Sequence, residues 1–242
     1  MTPGIGKGIG IGLRKGGARP VWVPTDLGAN LKLWLRPEEL AVIGDTNNVS
    51  TWADQSGLGN DVTQGTADKQ PVVAAGALDG WAGAVFDGID DALTVPALGA
   101  ASDWTIFYTF KINTVESYIY FIDSSAGRFI QGIPAALNWG WYDGGWAEYA
   151  GVDTDYTLLV YTLGASSTVH RDGALLTLAQ GSADYTQKAI GGNVSIGSIG
   201  SQTSQFAHMT LVELGVCNSA LSDADRIAWE SYAAARYPTV FA

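Results

Sequence analysis

From residue 21 onward the chain consists of short apolar or alternating runs separated by turn residues, and a period of two predicts β-strands. The clearest case is Trp104–Ile112, where every second residue is a large apolar one. Residues 209–216 are nearly all apolar, which is typical of a central strand covered on both faces. Asp-Gly pairs such as Asp172-Gly173 predict tight turns between strands. Further strands are predicted at residues 31–35, 49–53, 84–86, 93–95, 118–122, 128–132, 156–163, 168–171 and 194–197.

The only predicted helix lies near the end of the sequence. Ser222 is a favourable N-cap, and Asp225 stands where a capping box places its acid. The pair Tyr237-Pro238 predicts the end of the helix, because the residue before a proline avoids the helical region. The small and apolar residues of this segment share one helical face, namely Ala224, Ile227, Ala228, Tyr232 and Ala235.

The first 20 residues differ from the rest in composition. They are rich in Gly and Ile, end at Pro20, and contain four cations and no acid. Since the whole chain has a net charge of −11, residues 21–242 carry −15. We therefore divide the chain into a basic arm, residues 1–20, and a single domain, residues 21–242.

The arm is expected to dock on something acidic, for which a second copy of the body is a candidate. Alternating Ile and Gly can also add as an extended segment to the sheet edge of a neighbour. The alternative is a solvated arm. The residues assigned to assembly are Ile5, Lys7, Ile9, Ile11, Leu13, Arg14, Lys15 and Arg19.

Composition excludes several classes of protein. The acidic balance argues against nucleic acid as a partner, because phosphate binding requires clustered Lys and Arg. The single cysteine, Cys217, forms no disulfide within the chain and is expected in the core. No segment is long and apolar enough to span a membrane, and glycines interrupt any signal-peptide core at the N-terminus.

Five segments, in this order and spacing, resemble the laminin-G-like members of the concanavalin A-like superfamily, in particular those of bacteria and their phages. They are residues 31–35 (LKLWL), 49–61 (VSTWADQSGLGND), 84–93 (AVFDGIDDAL), 169–173 (VHRDG), and 206–216 followed by 218–223 (NSALSD) and the helix. The resemblance implies an all-β fold: a two-sheet antiparallel jelly-roll sandwich with one C-terminal helix and an extended N-terminal arm. It implies no single function, because this fold serves lectins, glycosidases, adhesins and particle proteins. The arm lies outside the family pattern and is similar to N-terminal extensions of phage virion proteins.

Residues 138–149 are the most suggestive of ligand binding. Aromatic faces stack on sugar rings, and nearby polar groups accept hydroxyl hydrogen bonds. The alternative is a hairpin whose aromatics fill the core, with Gly144-Gly145 as its turn. The candidate ligand-binding residues are Trp139, Trp141, Tyr142, Asp143, Trp146 and Glu148.

We expect no catalytic residues. The strand pattern Glu-x-Asp-x-x-Glu of sandwich glycosidases does not occur, so Asp143 and Glu148 are the best carboxylate pair for glycoside hydrolysis. The two histidines, His170 and His208, accompany no nucleophile motif and no zinc signature. No metal or cofactor is assigned, although three aspartates, Asp87, Asp90 and Asp91, leave calcium as an alternative.

These observations predict a non-enzymatic structural or surface protein of a phage virion: a capsid decoration, head-fibre or tail component anchored through its arm. The expected partners are other virion chains, including copies of itself, and host-surface polysaccharide. Neither nucleic acid nor a membrane is expected as a partner. Without a signal peptide, the protein would assemble in the bacterial cytoplasm. The alternatives are a carbohydrate-binding module and a glycoside hydrolase.

Overall fold

The computed structural model describes residues 21–115, 119–124, 130–133, 138–142, 146–180 and 194–242. Within these ranges the strands form two antiparallel sheets, and one long helix follows the last strand. The strands are β1 (Leu31–Leu35), β2 (Thr51–Trp52), β3 (Val62–Thr63), β4 (Val72–Leu78), β5 (Trp81–Asp87), β6 (Leu93–Val95), β7 (Trp104–Ile112), β8 (Ile119–Ser124), β9 (Ile130–Ile133), β10 (Trp139–Tyr142), β11 (Trp146–Tyr149), β12 (Thr157–Leu163), β13 (Thr168–Arg171), β14 (Ala174–Leu175), β15 (Leu178–Gln180), β16 (Val194–Ile196) and β17 (His208–Cys217). The helices are α1 (Pro37–Ile43) and α2 (Asp223–Arg236).

The two sheets pack face to face as a β-sandwich. One sheet has the order β14-β13-β12-β7-β17-β5-β4, with β1 also paired to β17. The other has the order β15-β11-β10-β9-β8-β16-β6-β3-β2. Some neighbouring strands, such as β4 and β5, are consecutive in the chain, whereas pairs such as β7 with β17 and β8 with β16 join segments that are distant in sequence. The predicted all-β sandwich with a C-terminal helix is confirmed.

The longest predicted strands occupy the centre of the eight-stranded sheet. Strand β17 pairs with β7 along most of its length and also contacts β1 and β5. Nine of its ten residues are buried, because the second sheet covers one face and α2 covers the other. This double coverage explains why residues 209–216 show no alternation. Cys217 is buried here, and burial raises the pKa of its thiol to about 12, as expected of a core residue.

Helix α2 begins where the capping signal predicts. The Ser222 hydroxyl accepts a hydrogen bond from the Asp225 N–H at 3.2 Å and donates to the Asp225 carboxylate at 2.7 Å. The helix packs through Trp229, whose ring stacks on Phe107 with the ring centroids 4.1 Å apart. A Cβ atom at Gly215 would lie 2.2 Å from the Trp229 ring, so glycine is what lets the helix approach the sheet.

The face that α2 buries is not the apolar face that the sequence indicates. The buried residues of the helix are Arg226, Trp229, Glu230 and Ala233. Of the predicted face, Ile227 is 51% exposed, whereas Tyr232 is half-buried and donates a hydrogen bond to Glu213 in the sheet. Helix α1 was not predicted at all, since its seven residues are too few for a periodic pattern.

Candidate functional site

The predicted aromatic segment forms two paired strands. The register of β10 and β11 sets Trp139 opposite Tyr149 and Trp141 opposite Ala147. Both indoles are buried, at 0% and 2% exposure, among the residues between the sheets. The Trp139 N–H donates to the Gly151 carbonyl at 3.1 Å. Trp139 and Trp141 are therefore core residues, which corrects their assignment as ligand-binding residues.

The remaining candidates of this segment are less completely described. Backbone register pairs Tyr142 with Trp146, and the other residues of these two strands are all buried. Asp143 lies outside the described residues. Glu148 is buried at 4% exposure and accepts a hydrogen bond from the Asn138 side chain at 2.9 Å. A carboxylate held this way is part of the fold, so Glu148 lacks the solvent access that a substrate requires.

Another part of the same sheet is closed by a polar loop. On the outer side of the sheet, the Asp123 carboxylate accepts the Gly200 N–H at 2.7 Å. The Gln202 amide donates to the Thr94 hydroxyl at 2.9 Å. These bonds hold the loop against β6 and β8.

Glu213 is the most deeply buried carboxylate among the residues that the structure describes, at 1% exposure. Its carboxylate accepts hydrogen bonds from three side chains: the Trp34 indole at 2.6 Å, the Tyr232 hydroxyl at 2.9 Å and the Tyr237 hydroxyl at 2.6 Å. The Arg236 guanidinium lies 4.0 Å away. Burial raises the pKa of Glu213, and these donors oppose the rise. The arrangement joins α2 and its C-terminal end to the eight-stranded sheet, so it stabilises the fold.

The aspartates at the end of β5 form a turn. Asp87, Asp90 and Asp91 place carboxylate oxygens within 4.8 Å of one another, and within the described ranges only they do so as a possible metal-ligating group. One oxygen of Asp87 accepts the N–H groups of Ile89 at 2.8 Å and Asp90 at 3.2 Å. Asp91 accepts the Asp87 N–H at 2.9 Å. These bonds account for the aspartates as turn residues, and they assign no metal site.

The Asp91→Asn variant is expected to be more stable than the wild type at neutral pH. Burial and the neighbouring carboxylates raise the pKa of Asp91 to about 6. The folded chain therefore binds this proton more tightly than the unfolded chain does, and stability falls as pH rises from about 4 to 6. Asparagine keeps the acceptor without the charge, so we expect a gain of about 1–2 kcal/mol at pH near 7.5 and almost none near pH 3.5.

Urea unfolding at the two pH values measures this difference. A loss of stability in Asp91→Asn at neutral pH, together with a calcium-dependent rise in the wild type alone, would contradict the turn assignment and support a cation site. Asp90→Asn, at an adjacent position of the same turn, is the matched control.

Two surface grooves were not predicted. A polar groove of about 420 Å³ lies beside the last residues of the chain and includes Lys111, Tyr156, Arg171 and Thr239. The Lys111 ammonium lies 5.0 Å above the Tyr156 ring, so a cation, an aromatic ring and hydroxyl groups share one wall. An apolar groove of about 390 Å³ lies between the first described residues and α2. No local sequence signal reveals either groove, because each is formed by segments distant in the chain.

Neither histidine belongs to a catalytic arrangement in the part of the chain that the structure describes. His170 is buried in β13, and burial lowers the pKa of its imidazole. His208 begins β17 and pairs with the Thr114 hydroxyl at 2.9 Å. The arm residues assigned to assembly, Ile5 to Arg19, lie outside the described residues. No helix among those described is long and apolar enough to cross a bilayer.

Comparison with known proteins identifies the fold alone. No protein-family model and no curated sequence matches the chain. Among solved structures, Trypanosoma rangeli sialidase superposes with a TM-score of 0.54 at 13% identity, covering 88% of this chain and 33% of the sialidase chain. The chain thus spans about a third of the sialidase.

Two further structures match at similar levels. Domain 4 of AbnA, an extracellular GH43 arabinanase from Geobacillus stearothermophilus in complex with arabinotriose, has a TM-score of 0.56 at 12% identity, with 83% of this chain and 98% of that domain covered. The binding domain of botulinum neurotoxin DC in complex with rat synaptotagmin II has a TM-score of 0.55 at 13% identity, with 86% and 52% covered. Identities this low show a shared β-sandwich.

Proposed function

We propose that this protein is a non-enzymatic surface component of a phage virion, anchored through residues 1–20, whose β-sandwich adheres to glycans on the host surface. The observation that carries the proposal is the junction at Val21. There a basic arm of alternating Gly and Ile joins an acidic body at the edge of an exposed apolar groove. A body of this kind carries recognition surfaces, and an arm of this kind attaches it to a larger assembly.

The proposal that the protein is not an enzyme is supported by the structural hydrogen bonds of two buried carboxylates. Glu213 accepts three hydrogen bonds within the core, and Glu148 is buried beside Asn138. Glycoside hydrolysis requires two carboxylates that reach the substrate. A Glu148→Gln variant tests the glycosidase alternative: polysaccharide turnover by the wild type that the variant loses would overturn the non-enzymatic proposal.

The proposed glycan binding is supported by one of the solved structures that resemble this chain. The arabinanase domain holds arabinotriose, and this chain covers 98% of that domain. The resemblance to this arabinanase domain also favours a second candidate function, a carbohydrate-binding module attached to an enzyme. The two candidates differ in assembly, because a module of that kind binds glycan without forming a particle.

We expect Trp146→Ala to abolish saturable glycan binding, whereas loss of an indole that packs in the core would instead lower the free energy of unfolding by about 3–5 kcal/mol. Trp146 pairs with Tyr142 in the register of β10 and β11. Glycan-array binding and urea unfolding measure the two effects. Trp139→Ala is the matched control, because loss of this buried indole lowers stability by about 3–5 kcal/mol.

A Lys111→Ala variant tests the polar groove in the same glycan screen. Loss of binding in Lys111→Ala alone would move the glycan site to that groove and leave the function standing. Absence of binding to every glycan by a folded wild-type chain would overturn the adhesion proposal.

A further inference from the structure

The outer side of α2 carries a groove whose lining is almost entirely apolar. Val21, Trp22 and Val23 form one wall, and Ala228, Ser231 and Ala235 lie along the helix opposite them. Val21 is 85% exposed. Ala228 and Ala235 also belong to the helix face that the sequence predicts as apolar, whereas Ile227 of that face lies outside the groove. Exposed apolar surface of this kind is typical of an interaction site.

The helix side of the groove is built from small residues. Ala228, Ser231 and Ala235 follow one another at spacings of three and four, so they line one face of α2. Their short side chains let an extended backbone approach the helix closely. The segment between Ala228 and Ala235 rises about 10 Å along the helix axis.

The arm has the complementary pattern. From residue 4 to residue 13, glycine occupies every even position and a larger side chain every odd one. In an extended conformation all the side chains would project from one face, and the other would be bare backbone. The positions of Ile9, Ile11 and Leu13 would then span about 13 Å, which is close to the length of the helix segment.

We propose that the groove of one copy binds residues 9–13 of a second copy of this chain. The inference rests on the proposed anchoring role of the arm and names the surface that receives it. Charge favours exchange between copies, because an arm of +4 meets a body of −15.

The mass of the full chain in solution, measured by light scattering after size exclusion, tests the exchange. The wild type is expected to contain more than one chain. Ser231→Arg places a long cation in the groove, where it fills space and repels the basic arm. We expect it to weaken assembly by about tenfold or more in dissociation constant, which corresponds to about 1.4 kcal/mol. Ile227→Arg adds the same charge four residues earlier on the same helix, outside the groove, and is expected to assemble as the wild type does.

A second measurement tests the same contact with substitutions in the arm and a peptide that corresponds to it. The full chain carrying Ile9→Asp and Ile11→Asp is expected to be monomeric and to bind a fluorescent peptide of residues 1–20. Adding Ser231→Arg to this chain is expected to remove peptide binding. Peptide binding that Ser231→Arg leaves unchanged would overturn the groove as the site. A wild-type chain that is monomeric would overturn exchange between copies, and peptide binding in that case would assign the groove to the arm of the same chain.

Glycan binding separates the two proposals. Ser231→Arg is expected to keep the glycan binding of the wild type, which also shows that the variant is folded. Assembly without glycan binding would contradict the adhesion function alone. Glycan binding by a wild type whose assembly is unaffected by Ser231→Arg would contradict the groove alone.

Discussion

The Glu213→Ala variant is expected to lose about 3–5 kcal/mol of unfolding free energy. Alanine removes the acceptor of three buried donors, those of Trp34, Tyr232 and Tyr237, and leaves them without a partner in the core. It also removes a carboxylate near Arg236, at 4.0 Å. Urea unfolding followed by tryptophan fluorescence at neutral pH measures the loss.

The isosteric Glu213→Gln variant is the matched control. It preserves the side-chain volume and one acceptor oxygen, so we expect a smaller loss of about 1–2 kcal/mol. If Glu213→Ala instead unfolds within about 0.5 kcal/mol of the wild type, the network does not stabilise the attachment of α2. We therefore expect the free energy of unfolding to be highest in the wild type, lower in Glu213→Gln and lowest in Glu213→Ala.

Local signals predicted the elements whose determinants are close in sequence. The strand Trp104–Ile112 is present with its alternating set in the main core, although its other face is largely buried as well, and the capping pair Ser222 and Asp225 is present too. The continuous apolar run of β17 indicated a strand covered on both faces, and both faces are covered. Each of these signals depends on residues within a few positions of one another, where backbone geometry relates spacing directly to structure.

The orientation of α2 was predicted wrongly for a specific physical reason. Arg226 and Glu230 form an ion pair at 2.6 Å on the buried face, so that face contains charges. The opposite face reads as apolar because it contains alanines and Ile227, which remain exposed. A charged side chain can be buried when it forms an ion pair, while small apolar residues remain exposed to water. A pattern of hydrophobic residues does not show which charged side chains form such pairs.

The candidate site was only partly predictable. Alternation divides the aromatics of residues 138–149 between two faces but does not say which face meets the second sheet. That choice depends in part on the pairing of β11 with β15, a strand that lies far away in sequence. The Glu213 network was missed for a similar reason, because its donors lie at Trp34, Tyr232 and Tyr237. A lone glutamate within an apolar strand was the one cue, since a buried charge requires partners.

The Asp54→Ala variant is expected to lose about 3–4 kcal/mol of unfolding free energy. Asp54 is the aspartate of the segment WADQSGLGND, and its carboxylate is an organising acceptor. One oxygen accepts the N–H groups of Trp34 at 2.9 Å and Ser56 at 2.8 Å. The other accepts the Ser56 hydroxyl at 2.6 Å and the Asn60 N–H at 3.0 Å. Together these bonds fasten the loop to β1, so the motif serves the fold.

The Asp54→Asn variant distinguishes the contributions of the two carboxylate oxygens to stability. An asparagine that keeps its oxygen toward Trp34 and Ser56 loses the acceptor for Asn60, so we expect about half of the loss seen with alanine. Urea unfolding measures both variants, and hydrogen exchange at the Ser56 and Asn60 amides reports whether the loop is released. A full loss of stability with unchanged exchange at these amides would contradict the role of Asp54 as the fastener of the loop. Faster exchange at these amides, with glycan binding retained, would show that this motif specifies the loop and leaves recognition to other surfaces.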